Sequence, residues 1–208
     1  APLDGVESYS VQGTPSDCVI LSLEVLFKGP FDLVVSGINA GANLGMDVLS
    51  SGTVGAALQG YYNQISAIAV SSVYVKDEKV RYDIAARAVS SLVVALSDSM
   101  ITHPLAFNVN TPSIELEDLE GVEITRLGPR VYLENVETGR DGRRTHYWIK
   151  HNKPVINCPA EGTDLWAVRN NCISITPIDF MFSIKAPLPL PDGLAEKVSL
   201  EIGCANKA

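Results

Sequence analysis

Positive charge is scarce in this chain. Sixteen Lys and Arg stand against 24 Asp and Glu, a net charge of −8. That balance excludes a nucleic-acid binder working through phosphate contacts, which needs a basic face. It does not exclude a small phosphate ester, because a metal ion can supply positive charge locally. Cysteine is also sparse: Cys18, Cys158, Cys172 and Cys204 stand far apart, with no C-x-x-C spacing. Such thiols fit neither a disulfide framework nor a zinc site, so they read as reduced and the protein as cytoplasmic. No apolar run is long enough to span a membrane, and the opening APLDGVESYS is not a signal peptide, so no membrane partner is expected. Aromatics make up 7% of the 208 residues and hydrophobic residues 46%. This composition suits a core of Val, Ile, Leu and Ala, organised as a single domain over residues 1–208. The first residue is Ala rather than Met, and the front of the protein is expected to be absent.

What is present alternates in period. After a short strand at Tyr9–Val11, Thr14 reads as an N-cap, Pro15 as the first helical residue and Asp17 as a first-turn acid. The apolar helix that follows runs to Phe27. LVVSG, from Leu33, is a β-branched run of the kind found in buried parallel strands. A helix is expected from Ser51, and a strand at ISAIAVSSVYV. The helix after it places Ile84, Ala85, Ala88, Val89, Leu92, Val93 and Leu96 on one face. LAFNVNTP and GVEITRLG read as strands. Residues 129–159 hold the turn GRDGRR between β-rich arms, a hairpin-like excursion. A short helix and a strand occupy EGTDLWAVRNNCISITPID, and a proline-rich tail begins at Lys185. This alternation predicts an α/β fold on a mostly parallel, doubly wound sheet.

Between the LVVSG strand and the helix at Ser51 lies VVSGINAGANLGMDVLSSGTVGAALQG. It combines Gly37, Gly41, Gly45 and Gly52 with Ser36, Asn39, Asn43, Ser50, Ser51 and Thr53. No Lys or Arg occurs between Lys28 and Lys76. A strand-to-helix loop of a parallel sheet lies where open α/β folds bind ligands. Glycines let backbone N–H groups approach an anion, and Ser51-Gly52-Thr53 opens a helix at its positive end. Asn39 and Asn43 offer carboxamide oxygens suited to a hard divalent cation. A plain connecting turn accounts for Gly and Asn equally well. The spacing matches neither the P-loop nor G-x-G-x-x-G. If phosphate binds here, the lack of nearby cations leaves a metal to neutralise it.

Taken in order, QGTPSDCV, VVSGINAGANLG, SGTVGAALQG, YWI and GTDLWAVRNNCISITPI resemble the SurE (survival protein E) family over nearly the whole chain. The resemblance implies a Rossmann-like three-layer α/β/α sandwich with an extended β-hairpin excursion used in oligomerisation, as a homodimer or homotetramer. It implies a metal-dependent phosphomonoesterase that hydrolyses nucleoside 5′- and often 3′-monophosphates, with one divalent ion, Mg²⁺ or Mn²⁺, per subunit. On the family's motifs, Asn39 falls on a metal ligand needed for catalysis, and Ser51, Gly52 and Thr53 on the phosphate-binding group. Asn43 lies in the same loop as an expected substrate contact. The family's paired aspartates, from an N-D-D-G strand end, and its further Ser ligand have no counterpart here. Asp47, Asp141 and Asp164 do not match that pair.

Other residues have plainer readings. Thr14-Pro15-x-Asp17 and Gly162-Thr163-Asp164 are explained as helix caps. His103 precedes a proline at a strand entrance. His146 and His151 flank YWIK without metal-ligand spacing, and Trp148 and Tyr147 read as packing an arm or a subunit contact. Arg126, Arg130, Arg143 and Arg144 read as solvated charge. Two rival functions stand beside hydrolysis. One is a nucleotide-binding module or pseudoenzyme without chemistry. The other is an NAD(P)-dependent enzyme, disfavoured by the missing G-x-G-x-x-G.

Overall fold

The computed structural model describes residues 4–75, 77–97, 103–129, 134–142, 144–151 and 158–178. Five strands form one sheet: β1 (Leu33–Ala40), β2 (Ser66–Ser72), β3 (Ala106–Thr111), β4 (Gly121–Ile124) and β7 (Cys172–Pro177), in the order β1-β2-β3-β7-β4. β5 (Glu134–Asp141) and β6 (Arg144–His151) pair only with each other, as the hairpin expected from GRDGRR. The helices are α1 (Pro15–Leu21), α2 (Gly52–Tyr62), α3 (Tyr82–Ser97) and α4 (Asp164–Arg169). Sheet neighbours run parallel except β3 and β7, which are antiparallel.

Alternation along the strands sorts side chains to two faces. Ala67, Ala69 and Ala106 join Val54 and Ala57 of α2 on one face, with Val34 packed against them. Small residues on both elements let α2 lie close to the sheet. Ile68, Val70, Val109, Ile173 and Ile175 face α3 on the other, where they meet Ile84, Ala85, Ala88, Val89, Leu92, Val93 and Leu96, the stripe expected from the sequence. The result is an α/β/α layering. The hairpin stands outside it and exposes Val136, Tyr147 and Trp148.

Local signals account for the helix starts. The Thr14 hydroxyl accepts from Asp17 N–H at 3.2 Å, and Asp17 returns a carboxylate to Thr14 N–H at 2.7 Å, a complete capping box. The Thr14 backbone N–H holds the exposed Asp17 carboxyl below its ordinary range. The α-helix ends at Leu21 and passes into a wider π-turn over Ser22–Leu26, which closes at Phe27.

Two expectations are corrected. Tyr9–Val11 forms no strand, for no described segment pairs with it; the Tyr9 ring instead meets Phe27 edge-on at 5.4 Å. β1 is half-exposed rather than buried, with Val35 47% exposed, because among the described residues it stands at the edge of the sheet. Residues 130–133, 152–157 and the tail from Lys185, including Cys204, lie outside the described residues, as do Arg130 and Arg143.

Gly60 shows how tightly α2 sits on β1. A methyl group there would come within 2.6 Å of Val34 Cγ2 and 2.7 Å of Val34 Cβ. Gly→Ala inside a helix ordinarily stabilises by up to about 1 kcal/mol. Here the sign reverses, because overpacking a filled interface costs about 1–3 kcal/mol. Gly60→Ala is therefore expected to lower the denaturant midpoint at unchanged m-value. An equal or higher midpoint would show that the helix shifts freely against the strand.

Candidate functional site

The parallel strands β1, β2 and β3 end together, and the chain leaves β1 at Ala40 to re-enter order at α2. Because α2 runs back across β1 and β2, its first turn stands at the carboxyl ends of those strands. This places the Gly- and Asn-rich loop at the sheet margin where such folds bind ligands.

Asn39 owes its direction to an irregularity. Ser36 pairs with Ala69 and Asn39 with Ser71, so three steps along β1 match two along β2, with the slip at Gly37–Ile38. A bulge of this kind reverses which face later residues occupy. Ile38 consequently joins the α3-side core, while Asn39 aligns with Ser71 on the α2 side. The Asn39 Nδ2 donates to Gly41 C=O at 2.8 Å, which fixes the carboxamide and leaves Oδ1 as its ligand-capable end. Asn39 is half-buried.

Beyond Gly41, whose N–H donates to Ser72 C=O at 2.8 Å, the loop folds over the sheet. The Asn43 Nδ2 donates to Ser71 Oγ at 2.6 Å, and the Asn43 N–H donates to Asn110 Oδ1 at 2.8 Å. Its C=O accepts from Asn108 Nδ2 at 2.8 Å and from Asn110 Nδ2 at 3.0 Å. Asn108, Asn110 and Ser71 are fully buried. The sequence reading did not single out these three. The available signal was N-V-N at a strand end, since period 2 puts two amides on one face.

The next segment is a 3₁₀ turn over Gly45–Ser50. Its first N–H, from Gly45, donates to Asp164 Oδ2 at 2.6 Å. Gly45 has φ of 57°, a left-handed value that suits glycine, and a side chain there would collide with the backbone of Pro129. Asp164 Oδ1 accepts from Gly128 N–H at 2.8 Å and Leu165 N–H at 2.9 Å. Burial pushes the Asp164 carboxyl above its ordinary range, against the pull of these backbone donors. Thr163 is the cap of α4, accepting from Trp166 N–H at 3.3 Å. Asp164, expected as a first-turn acid, is also a long-range tie.

Ser51 caps α2 by accepting from Val54 N–H at 3.2 Å. Gly52 and Thr53 supply the first-turn N–H groups, for which helix geometry provides no intrahelical acceptor. The eleven-residue helix adds a partial positive charge at this end. Gly52 is exposed, while Ser51 and Thr53 are half-buried. The Pro15 ring of α1 lies beside Gly52, so the start of α1 borders the start of α2. Asn39, Asn43 and Ser51–Thr53 thus belong to one loop system at one sheet margin.

Of the groups weighed as peripheral, His146 stacks at a tilt on Trp148, 5.6 Å between ring centres, within the hairpin. Arg126 borders Gly162 near the start of α4. Among the described residues no cluster of three His, Cys, Asp or Glu side chains could hold a metal ion. The Asn39 carboxamide is a neutral oxygen donor, and retention of a divalent ion normally requires carboxylates. No described helix is long and apolar enough to cross a membrane.

Comparison with known proteins bears on the family and the fold. The model of the family described as Survival protein SurE matches residues 2–134. A protein of Dehalococcoides mccartyi named 5′-nucleotidase SurE is 41% identical over 192 residues, covering 91% of this chain and 71% of that relative. One of the same name from Haemophilus influenzae is 43% identical over 171 residues, covering 82% of this chain and 67% of the relative. The chain thus spans about two thirds of the length of these relatives. The crystal structure of the SurE protein from Aquifex aeolicus superposes with a TM-score of 0.67 at 35% identity. It covers 91% of this chain and 74% of that one.

Proposed function

The chain belongs to the survival protein SurE family, and from that premise we propose that it is a phosphomonoesterase that releases phosphate from nucleoside 5′-monophosphates, with 3′-monophosphates as further substrates. The observation that carries the reading is the start of α2, where a capped helix offers first-turn N–H groups at the carboxyl ends of parallel strands. The names of the relatives, 5′-nucleotidase SurE, support the substrate class.

In this reading the N–H groups of Gly52 and Thr53, with the Thr53 hydroxyl, hold non-bridging phosphoryl oxygens. Their donors and the helix dipole are in place before charge builds up, which favours the transition state. Asn39 turns a carboxamide oxygen toward the same margin as one ligand of a divalent ion, Mg²⁺ or Mn²⁺. Such an ion would take carboxylate ligands beside it. We extend the proposal to assembly: the exposed Val136, Tyr147 and Trp148 of the hairpin suit contact with further copies of the chain. The whole, hairpin included, is read as one SurE-like domain.

Phosphate release from AMP, with Mg²⁺ or Mn²⁺ and again after chelation, tests the activity. Metal-dependent release is expected. Binding of AMP without any release would instead mark a nucleotide-binding module. Thr53→Val preserves shape and deletes the hydroxyl. It is expected to lower kcat/KM by about 1–3 kcal/mol of transition-state stabilisation, the range for a hydrogen bond to a charged group. Unchanged kinetics would leave Thr53 as a helix residue only.

A further inference from the structure

Two asparagines within a buried strand call for an explanation. β3 reads AFNVNT, and Asn108 and Asn110 are both fully buried. A buried amide is costly unless its donors and acceptors are matched, and Asn110 is matched at both ends while Asn108 is held through its Nδ2 alone. Both bond to the same partner, the backbone of Asn43, more than sixty residues away in sequence. Asn110 does this two-fold, accepting from Asn43 N–H at 2.8 Å and donating to Asn43 C=O at 3.0 Å. Its side-chain amide mimics a strand neighbour for a residue that lies in no strand. Ser71, beside Asn110 in the sheet register, takes the Asn43 side chain as well.

We propose that Asn110 is a positioning residue for the candidate site, holding Asn43 so that the loop fixes the placement of Asn39 relative to the Ser51–Thr53 helix start. The activity part of this inference rests on the phosphomonoesterase reading. The loop between those two groups contains Gly41 and Gly45 and has little order of its own before the 3₁₀ turn. Asn43 lies four residues after Asn39 and eight before Ser51. An anchor there ties the loop to the sheet between Asn39 and Gly45, which Asp164 holds. Misplacement of reacting groups by about 1 Å is enough to cost two orders of magnitude in rate. The anchor therefore acts on turnover without touching substrate.

Asn110→Asp tests this, because only the protonated acid repeats the native pattern. A neutral carboxyl accepts from Asn43 N–H through its C=O and donates to Asn43 C=O through its O–H. The ionised form can only accept, and sets a negative charge against a carbonyl oxygen. The groups beside position 110 in the sheet register, Ser71 and Ser174, are neutral. Charged residues along the row and the loop are exposed Glu123, paired with Ser174, Asp47 in the 3₁₀ turn, and Asp164, bonded to Gly45. Rates with AMP are to be measured for wild type and variant from acid to alkaline pH, well below both melting temperatures. Amide hydrogen exchange of residues 41–50 and of α3 is followed in parallel.

At alkaline pH the variant's kcat is expected to be about ten- to a hundredfold below wild type, with KM changed less. The ratio of variant to wild type should climb as the pH falls. Exchange in residues 41–50 should rise and recover over the same range, with α3 unchanged. A ratio independent of pH, or wild-type kcat at alkaline pH, overturns the proposal. If wild type itself releases no phosphate, the phosphatase reading fails and the exchange pattern alone decides the anchor. Should Asn110→Asp not fold, Ser71→Ala removes a single bond to Asn43. A lower kcat at constant KM then supports the anchor, and an unchanged kcat overturns it.

Discussion

Asn39→Ala should abolish most phosphate release while leaving the protein folded. The side chain is half-buried and its described hydrogen bond is a single local one, from Nδ2 to Gly41 C=O. Losing one such bond costs about 1 kcal/mol, or a fall of roughly 2–4 °C in Tm for a chain of this size. The expected kinetic loss is far larger, about 10²-fold in kcat/KM, because Asn39 would no longer help to hold the ion that neutralises phosphoryl charge. The disproportion between the two readouts is what identifies a functional group. Asn39 stands one residue past a strand bulge that turns it from the α3 face to the α2 face. Phosphate release from AMP, measured beside a thermal melt, checks both numbers. Full activity in the folded variant would reduce Asn39 to a turn former and remove it from any ligand set.

Legibility in the sequence followed the range of the interaction. Thr14, Ser51 and Thr163 were readable as caps because a cap and the N–H that donates to it lie three residues apart. The buried stripe of α3 was readable because period 3.6 is a local property, and the hairpin because D-G marks a tight turn. The loop was noticed through its composition. Its architecture was not, since that depends on partners brought together by the sheet. Nothing near Asn43 in sequence announces Asn108, Asn110 or Ser71. The face taken by Asn39 depends on a one-residue slip in register that no composition encodes. The reversed direction of β7 against β3 is likewise set by where the chain returns after the hairpin, not by CISITP itself.

Asp164 offers the sharpest separation of local from distant roles. Read locally, it is a favourable acid in the first turn of α4, a surface effect of about 0.3–1 kcal/mol. In the structure it is fully buried, and its two oxygens take three backbone N–H groups: Leu165 beside it, Gly128 near β4 and Gly45 in the site loop 119 residues away. Asp164→Ala would leave those donors without their acceptor. Each buried unsatisfied donor costs about 1–3 kcal/mol, partly relieved by relaxation, so a total of about 3–5 kcal/mol is expected. At about 2–4 °C per kcal/mol, Tm should fall by roughly 6–20 °C. Asp164→Asn is the finer probe. Its amide oxygen can keep Gly128 and Leu165, while its NH₂ would face the Gly45 N–H. About half the destabilisation should then remain, with faster hydrogen exchange confined to Gly45–Ser50. A first-turn charge effect alone would instead make both variants equally mild and sensitive to salt. Thermal melts of the two variants at low and high ionic strength decide between these, and a loss below about 1 kcal/mol in Asp164→Ala would mean that the tie to Gly45 holds nothing in place.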